Sequence, residues 1–175
     1  MPKFLYLVRH AKSSWKDASL SDRERPLNGR GRRSAPEMGR RLAMGGHRPD
    51  LIISSPARRA FLTAKKIAKE LSFDKSGIIT DENMYFSGTG GMLKMLEMQD
   101  DSYTKVMIVG HNPAMTSFLN DLSESPVWNM PTCAIALIAF DIESWSELGS
   151  VSGNLLVYDF PKNAEGDTAW REHAC

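Results

Sequence analysis

Cysteine is nearly missing from this chain: only Cys133 and Cys175 carry thiols among its 175 residues. They stand far apart and match no ligand or redox spacing, which excludes a cysteine-ligated metal, a dithiol redox motif and a disulfide framework. Cys133 falls in the apolar run Thr132–Phe140 and reads as a small buried hydrophobe. The lack of an evident pairing suits a reducing compartment. Charge of one sign is also lacking. Lysine and arginine number 22 against 21 acidic residues, a net charge of +1, so bulk charge implies no polyanionic partner such as nucleic acid. Long apolar runs are missing too. Phe4–Val8 is far too short for a signal h-region or a membrane span, so a cytoplasmic protein without membrane contact is expected. No internal repeat or low-complexity segment splits the chain.

What is present fits one folded domain. Hydrophobic residues make up 42% and charged residues 25%, close to the globular average. Lys3–Val8 has the pattern of a strand buried on both faces, and so do Leu51–Ser54 and Lys105–Val109. Short strands are also predicted at Gly77–Thr80, Thr132–Asp141 and Asn154–Tyr158. Between them, Gly29–Gly46 carries Ala35, Met38, Leu42 and Ala43 at helical spacing and stops at Gly45-Gly46. Ser55-Pro56 reads as an N-cap and first helical residue, opening a helix to about Leu71. Further helices are predicted over Gly90–Met98 and from Pro113 to about Leu122. Strands alternating with helices make an α/β domain with a mostly parallel sheet. The domain is expected over residues 1–160, with 161–175 a loosely held polar tail. The methionines of Met84–Met98 recur at helical spacing and read as core packing, with an adaptable partner surface as the alternative.

The chemistry gathers at strand ends. The first strand ends in Arg9-His10 and the fourth in Gly110-His111. Open α/β sheets bind ligands beyond the carboxyl ends of their strands, so neighbouring first and fourth strands bring both imidazoles into one crevice. Metal ligation is disfavoured by the lack of any His-x-His or His-Glu-x-x-His pair and by the cation beside His10. An anion suits the residues better. Arg9 offers a planar fork of donors matched to phosphate oxygens. Ser54–Ala60 ends the second strand and opens a helix whose N–H groups are expected to face the crevice, with Arg58 and Arg59 in its first turn. Ten arginines lie between Arg23 and Arg59, which suits either a small anion or a solvated helix face.

Other phosphoryl-transfer devices are missing. The chain has no Gly-x-x-x-x-Gly-Lys-Ser/Thr loop. Cys133 is not followed by the arginine of a cysteine-dependent phosphatase, and no Asp-x-Asp follows the first strand. An imidazole remains as the nucleophile.

Arg9-His10-Ala11, then Ser55-Pro-Ala-Arg-Arg-Ala-Phe-Leu-Thr63-Ala64, then Gly110-His111-Asn-Pro113 resembles the histidine phosphatase superfamily. Arg25-Pro26-Leu27, Met84-Tyr85, Pro131-Thr132 and Trp145 are similar to its small bacterial phosphohistidine phosphatases of the SixA type. The resemblance runs from residue 3 to about residue 158. It implies a single three-layer α/β/α domain, phosphoglycerate mutase-like, with the first and fourth strands adjacent. It also implies His10 as phosphoryl acceptor, Arg9 and Arg59 as phosphate ligands, His111 as a hydrogen-bond donor to the transferring group, and Arg25 as a further pocket member. Asp81 and Glu82 stand in the region of the superfamily's general acid. The family's Arg-His-Gly is Arg-His-Ala here. No cofactor or metal is implied. The expected substrate is a phosphorylated protein carrying phosphohistidine, or else a small phosphoester. A non-catalytic module that binds phosphorylated partners is the rival of another class.

Overall fold

A computed structural model describes residues 2–173 of the chain. Six strands form one sheet: β1 (Lys3–Arg9), β2 (Leu51–Ser54), β3 (Ile79–Thr80), β4 (Lys105–Gly110), β5 (Ile135–Phe140) and β6 (Asn154–Asp159). Their order across the sheet is β3-β2-β4-β1-β5-β6. Pairs β1–β4, β2–β4 and β2–β3 are parallel, while β5 runs antiparallel to both β1 and β6. Only β5 is reversed in direction, so the expected mostly parallel sheet is found. β1 and β4 are neighbours, with Arg9 paired to Gly110.

Alternation along the strands builds two cores. Leu5 and Leu7 of β1, Val106 and Ile108 of β4, and Ile138 of β5 face one side. Tyr6, Val8, Met107, Val109 and Leu137 face the other. Successive side chains of a strand point to opposite faces, so continuous apolar runs feed both layers at once. Helices α4 (Gly88–Glu97) and α5 (Ala114–Leu122) cover the first face, together with the 3-10 turn Trp145–Ser150. Helices α1 (Gly29–Met44), α2 (Arg58–Glu70) and α6 (Gly166–Glu172) cover the second. A single short turn of helix, α3 (Asn83–Phe86), follows β3. The result is the three-layer α/β/α sandwich. Met84, Met92 and Met95 are buried in the first core, whereas Met98 is exposed. No helix among the described residues is long and apolar enough to cross a membrane.

Two expectations are corrected. The segment from residue 161 is docked, not loose, as far as Glu172 and His173 are described. Trp170 of α6 is fully buried, and its Nε1 donates to Asp159 Oδ2 at 2.8 Å. Arg41 of α1 pairs with the same buried carboxylate at 3.2 Å and donates to the Phe160 and Pro161 carbonyls. A buried ion pair with its remaining hydrogen bonds satisfied, beneath a buried indole, fixes this segment to the domain. The other correction concerns α2, which starts at Arg58 with Ala57 as its N-cap, not at Ser55. Ser55 Oγ accepts from Ala57 N–H at 3.2 Å and meets His111 instead. Cys133 is buried and free, and burial pushes its thiol up to about 12. Cys175 lies outside the described residues.

Candidate active site

β1 and β4 end in register, and the next residue of each is a histidine. His10 N–H donates to the Gly110 carbonyl at 3.0 Å, and the His10 and His111 rings lie 5.1 Å apart between centroids. Both imidazoles line one open cavity of about 220 Å³ together with Arg9, Arg25, Arg59 and Trp15. Lys12, Ser13, Asn112 and Thr132 complete its wall.

His10 Nδ1 donates to the Ala11 carbonyl at 2.7 Å. A neutral imidazole carries one proton, so this bond leaves Nε2 as a free lone pair. The loop behind it is tied down. Ala11 N–H donates to Thr63 Oγ1 at 3.0 Å, the Thr63 hydroxyl donates to the Arg59 carbonyl, and Cys133 N–H donates to the Arg9 and His10 carbonyls. Burial, reinforced by the Arg59, Arg9 and Arg25 cations, lowers the His10 pKa to about 4. Burial and the neighbouring His10 and Arg59 lower that of His111 to about 3. Both rings are neutral at neutral pH.

Three guanidinium groups surround them. Arg9 Nη1 donates to the Met130 carbonyl at 2.8 Å. Arg59 Nη1 donates to the Asp22 carbonyl at 2.7 Å and its Nη2 to Asp22 Oδ2 at 3.0 Å. Arg25 donates to Asp22 Oδ1, and to Ser13 Oγ at 2.8 Å. Tyr85 O–H donates to Asp22 Oδ2 at 2.6 Å. The Tyr85 hydroxyl and the two arginines hold the Asp22 carboxyl well below the usual carboxylate range, although partial burial acts the other way. Among the described residues, the buried side-chain nitrogens without a hydrogen-bond partner in the protein are Arg9 Nε, Arg59 Nε and His111 Nδ1. All three belong to residues lining this cavity. Buried polar groups need partners, and two guanidinium N–H groups and an imidazole nitrogen left without one, on residues that line a single cavity, suit a bound oxyanion.

His10, His111, Arg9, Arg59 and Arg25, the residues read from the sequence, are therefore brought together. Asp81 and Glu82 are not. Asp81 Oδ1 accepts from Asn83 N–H at 2.8 Å, and Glu82 pairs with Arg23. Both carboxylates are engaged outside the cavity lining, although Tyr85, three residues further on, reaches Asp22 and His111. Part of the N–H set expected to face the crevice is taken up within the protein: Ser55 N–H donates to the Val109 carbonyl, Ala57 N–H to Ser55 Oγ and Ala60 N–H to the Ala57 carbonyl. Sequence reasoning missed Asp22, Tyr85, Ser55 and Trp15. The spacing of Asp22 and Arg25 was the one local signal available for the first of these.

The arrangement defines a class: an α/β/α protein built to hold a phosphoryl-sized anion against a neutral imidazole. The family model of the histidine phosphatase superfamily (branch 1) matches residues 5–84. An uncharacterized chloroplastic protein of Arabidopsis thaliana is 31% identical over 157 residues, covering 85% of this chain and 72% of that protein. The crystal structure of a candidate phosphohistidine phosphatase SixA from Agrobacterium tumefaciens matches with a TM-score of 0.77 and 27% identity, over 92% of this chain and 99% of that one. A protein histidine phosphatase SixA complexed with tungstate matches in fold, with a TM-score of 0.75 and 21% identity over 92% of this chain and 97% of that one. The chain belongs to the histidine phosphatase superfamily and is of the SixA type.

Proposed function

We propose that this phosphatase hydrolyses phosphohistidine on proteins through a phosphoryl group carried by His10. The observation that carries the reading is the set of side chains at the cavity. It is lined by two imidazoles, three guanidiniums, two hydroxyls, the Asn112 amide, the Lys12 ammonium and the Trp15 indole, with no carboxyl group among the described lining residues. The carboxylate beside it, Asp22, is held ionised by Tyr85, Arg59 and Arg25. A group so strongly biased to its anion is a poor proton donor at neutral pH.

The leaving group must then depart with little help. An alkoxide does so badly. A phosphoimidazole can take a proton from solvent on its distal ring nitrogen and leave as neutral imidazole when the P–N bond breaks.

In the first step His10 Nε2 attacks phosphorus in line, forming an N–P bond as the substrate's P–N bond breaks. Arg9, Arg59 and His111 donate to the equatorial oxygens, where charge accumulates. In the second step water attacks phosphorus, the His10 N–P bond breaks, and inorganic phosphate leaves with the water's proton passing to solvent. His10 Nδ1 stays bonded to the Ala11 carbonyl throughout. A cytoplasmic location accompanies this reading.

The test is hydrolysis of a phosphohistidine protein beside an alkyl phosphate such as glycerol 2-phosphate, with wild type and His10→Ala. Release from phosphohistidine, slow ester hydrolysis and an inactive variant support the proposal. Equal activity in His10→Ala removes the nucleophile assignment, and faster ester hydrolysis moves the substrate to small phosphoesters.

A further inference from the structure

Trp15 is three-quarters exposed, with a relative accessibility of 75%, yet it lines the same cavity as His10. A lone exposed tryptophan needs no explanation, but this one is held in place. The Arg25 guanidinium lies over one face of the indole, 3.5 Å from the ring centroid. Arg25 is itself buried and fixed by Ser13 and Asp22. The backbone just before it is anchored as well: Ser14 N–H donates to the Pro26 carbonyl at 2.8 Å, and Ser13 bridges to Leu27. The indole plane is thus set by a cation on one face, and its exposure leaves it open to a second flat group at the mouth of the cavity. At about 220 Å³ the cavity has room for a phosphoryl group with a small ring. The remainder of a larger substrate must lie across the rim.

We infer that Trp15 is a stacking platform for the leaving group, and that it makes the enzyme selective for phosphoryl groups carried on planar aromatic rings. The inference rests on the phosphatase reading above and adds to it the residue that recognises the ring. A flat apolar face presented beside a phosphate site favours an imidazole or phenol ring over a leaving group without a π-face. Trp15 touches the leaving group, not the reacting bond. It therefore acts on binding, and on aromatic substrates more than on non-aromatic ones.

Two substrate pairs separate this from a merely structural role. N-phosphoimidazole and phosphoramidate share a P–N bond, and only the first has a ring. p-Nitrophenyl phosphate and acetyl phosphate make the same comparison for P–O bonds. Wild type, Trp15→Ala and Trp15→Phe are assayed on all four. Trp15→Ala is expected to raise KM for the two ring substrates about tenfold, the size of one aromatic contact. Its kcat/KM for phosphoramidate and acetyl phosphate should fall by much less, and Trp15→Phe should recover most of the difference. An equal loss on all four substrates would mean that Trp15 serves only to hold Arg25, and no loss on any would remove the platform; either result overturns the inference. If the wild type hydrolyses only the P–O substrates, the phosphohistidine reading fails, while the second pair still decides the role of Trp15.

Discussion

Asp22 grips Arg59 from two sides, its carboxylate accepting at 3.0 Å and its backbone carbonyl at 2.7 Å. The same carboxylate takes Arg25 and Tyr85, so one acid on the 3-10 turn Asp22–Glu24 orients two of the three pocket guanidiniums. Its job is positional. With the carboxylate removed, Arg59 keeps its charge and loses its direction. Asp22→Asn should lower kcat by about 10- to 100-fold, in the range by which misplaced groups slow catalysis, with a folded protein by circular dichroism. Steady-state kinetics checks this. Unchanged kcat would show that the helix and Met130 side of the pocket position the arginines unaided.

The acid limb of kcat/KM should fall near pH 4, not near 6.5. His10 must be neutral to attack, and burial together with the Arg59, Arg9 and Arg25 cations places its pKa at about 4. Removing Arg59 takes away one of those cations, so Arg59→Met should move the limb upward while reducing the rate. A pH–rate profile corrected for substrate ionisation measures both.

Stability follows the same histidines. His10, His111 and buried His47 all have lowered pKa values in the folded state, burial being the first cause in each. Above about pH 6.5 both folded and unfolded forms are neutral, and the contribution is fully present. As pH falls below that value the unfolded chain binds protons that the folded one refuses, so stability declines toward pH 4. The urea midpoint should therefore drop between pH 7.5 and 5, and the drop should be smaller in His10→Gln. A midpoint independent of pH over that interval would contradict the neutral buried rings.

Close backbone approach at Gly31 gives a separate test. A Cβ there would stand 2.2 Å from the Lys12 carbonyl oxygen, which already accepts from Asn28 N–H. α1 begins against the loop that follows His10, and only a glycine leaves room for that contact. Gly31→Ala should push the Ala11–Ser13 segment outward, lowering activity more than it lowers Tm. Activity assays beside thermal melts check this, and a variant with normal turnover would show that the loop can yield without disturbing His10.

How much of this was legible in the sequence depends on distance along the chain. His10 and His111 could be read because each ends an apolar run, and parallel neighbours in register place the next residues side by side. Arg59 could be read from its motif. Asp22 could not, since it lies in an irregular loop and its partners Arg59 and Tyr85 arrive from other elements. Asp81 and Glu82 follow a strand end, but their side chains are taken by Asn83 N–H and Arg23, and the Arg23 partner comes from a distant loop that no local spacing announces. Trp170 shows the same limit. One indole in a polar stretch carries no period, and only the buried Asp159–Arg41 pair reveals why the segment docks.

Ser55 gives the most specific expectation about His111. Its Oγ accepts from Ala57 N–H at 3.2 Å and lies 2.8 Å from His111 Nε2. With the hydroxyl proton directed to Nε2, the neutral ring carries its own proton at Nδ1, and this is the tautomer the variant tests. Nδ1 is the buried nitrogen without a partner in the protein, so Nδ1–H is the donor the ring can offer a phosphoryl oxygen. In Ser55→Ala that tautomer loses its support, and the ring can hold the proton at Nε2, presenting a lone pair to an anion. The expected result is a fall in kcat of about tenfold or more, as for loss of an oriented donor to transition-state charge, with KM little changed. Nitrogen-15 NMR of the imidazole should show a shift of the His111 tautomer in the variant. Ser55→Thr, which keeps the hydroxyl, should restore both. A Ser55→Ala enzyme with normal kcat and an unchanged tautomer would mean that the ring is oriented by packing against Tyr85, 5.4 Å away between centroids, and not by the serine.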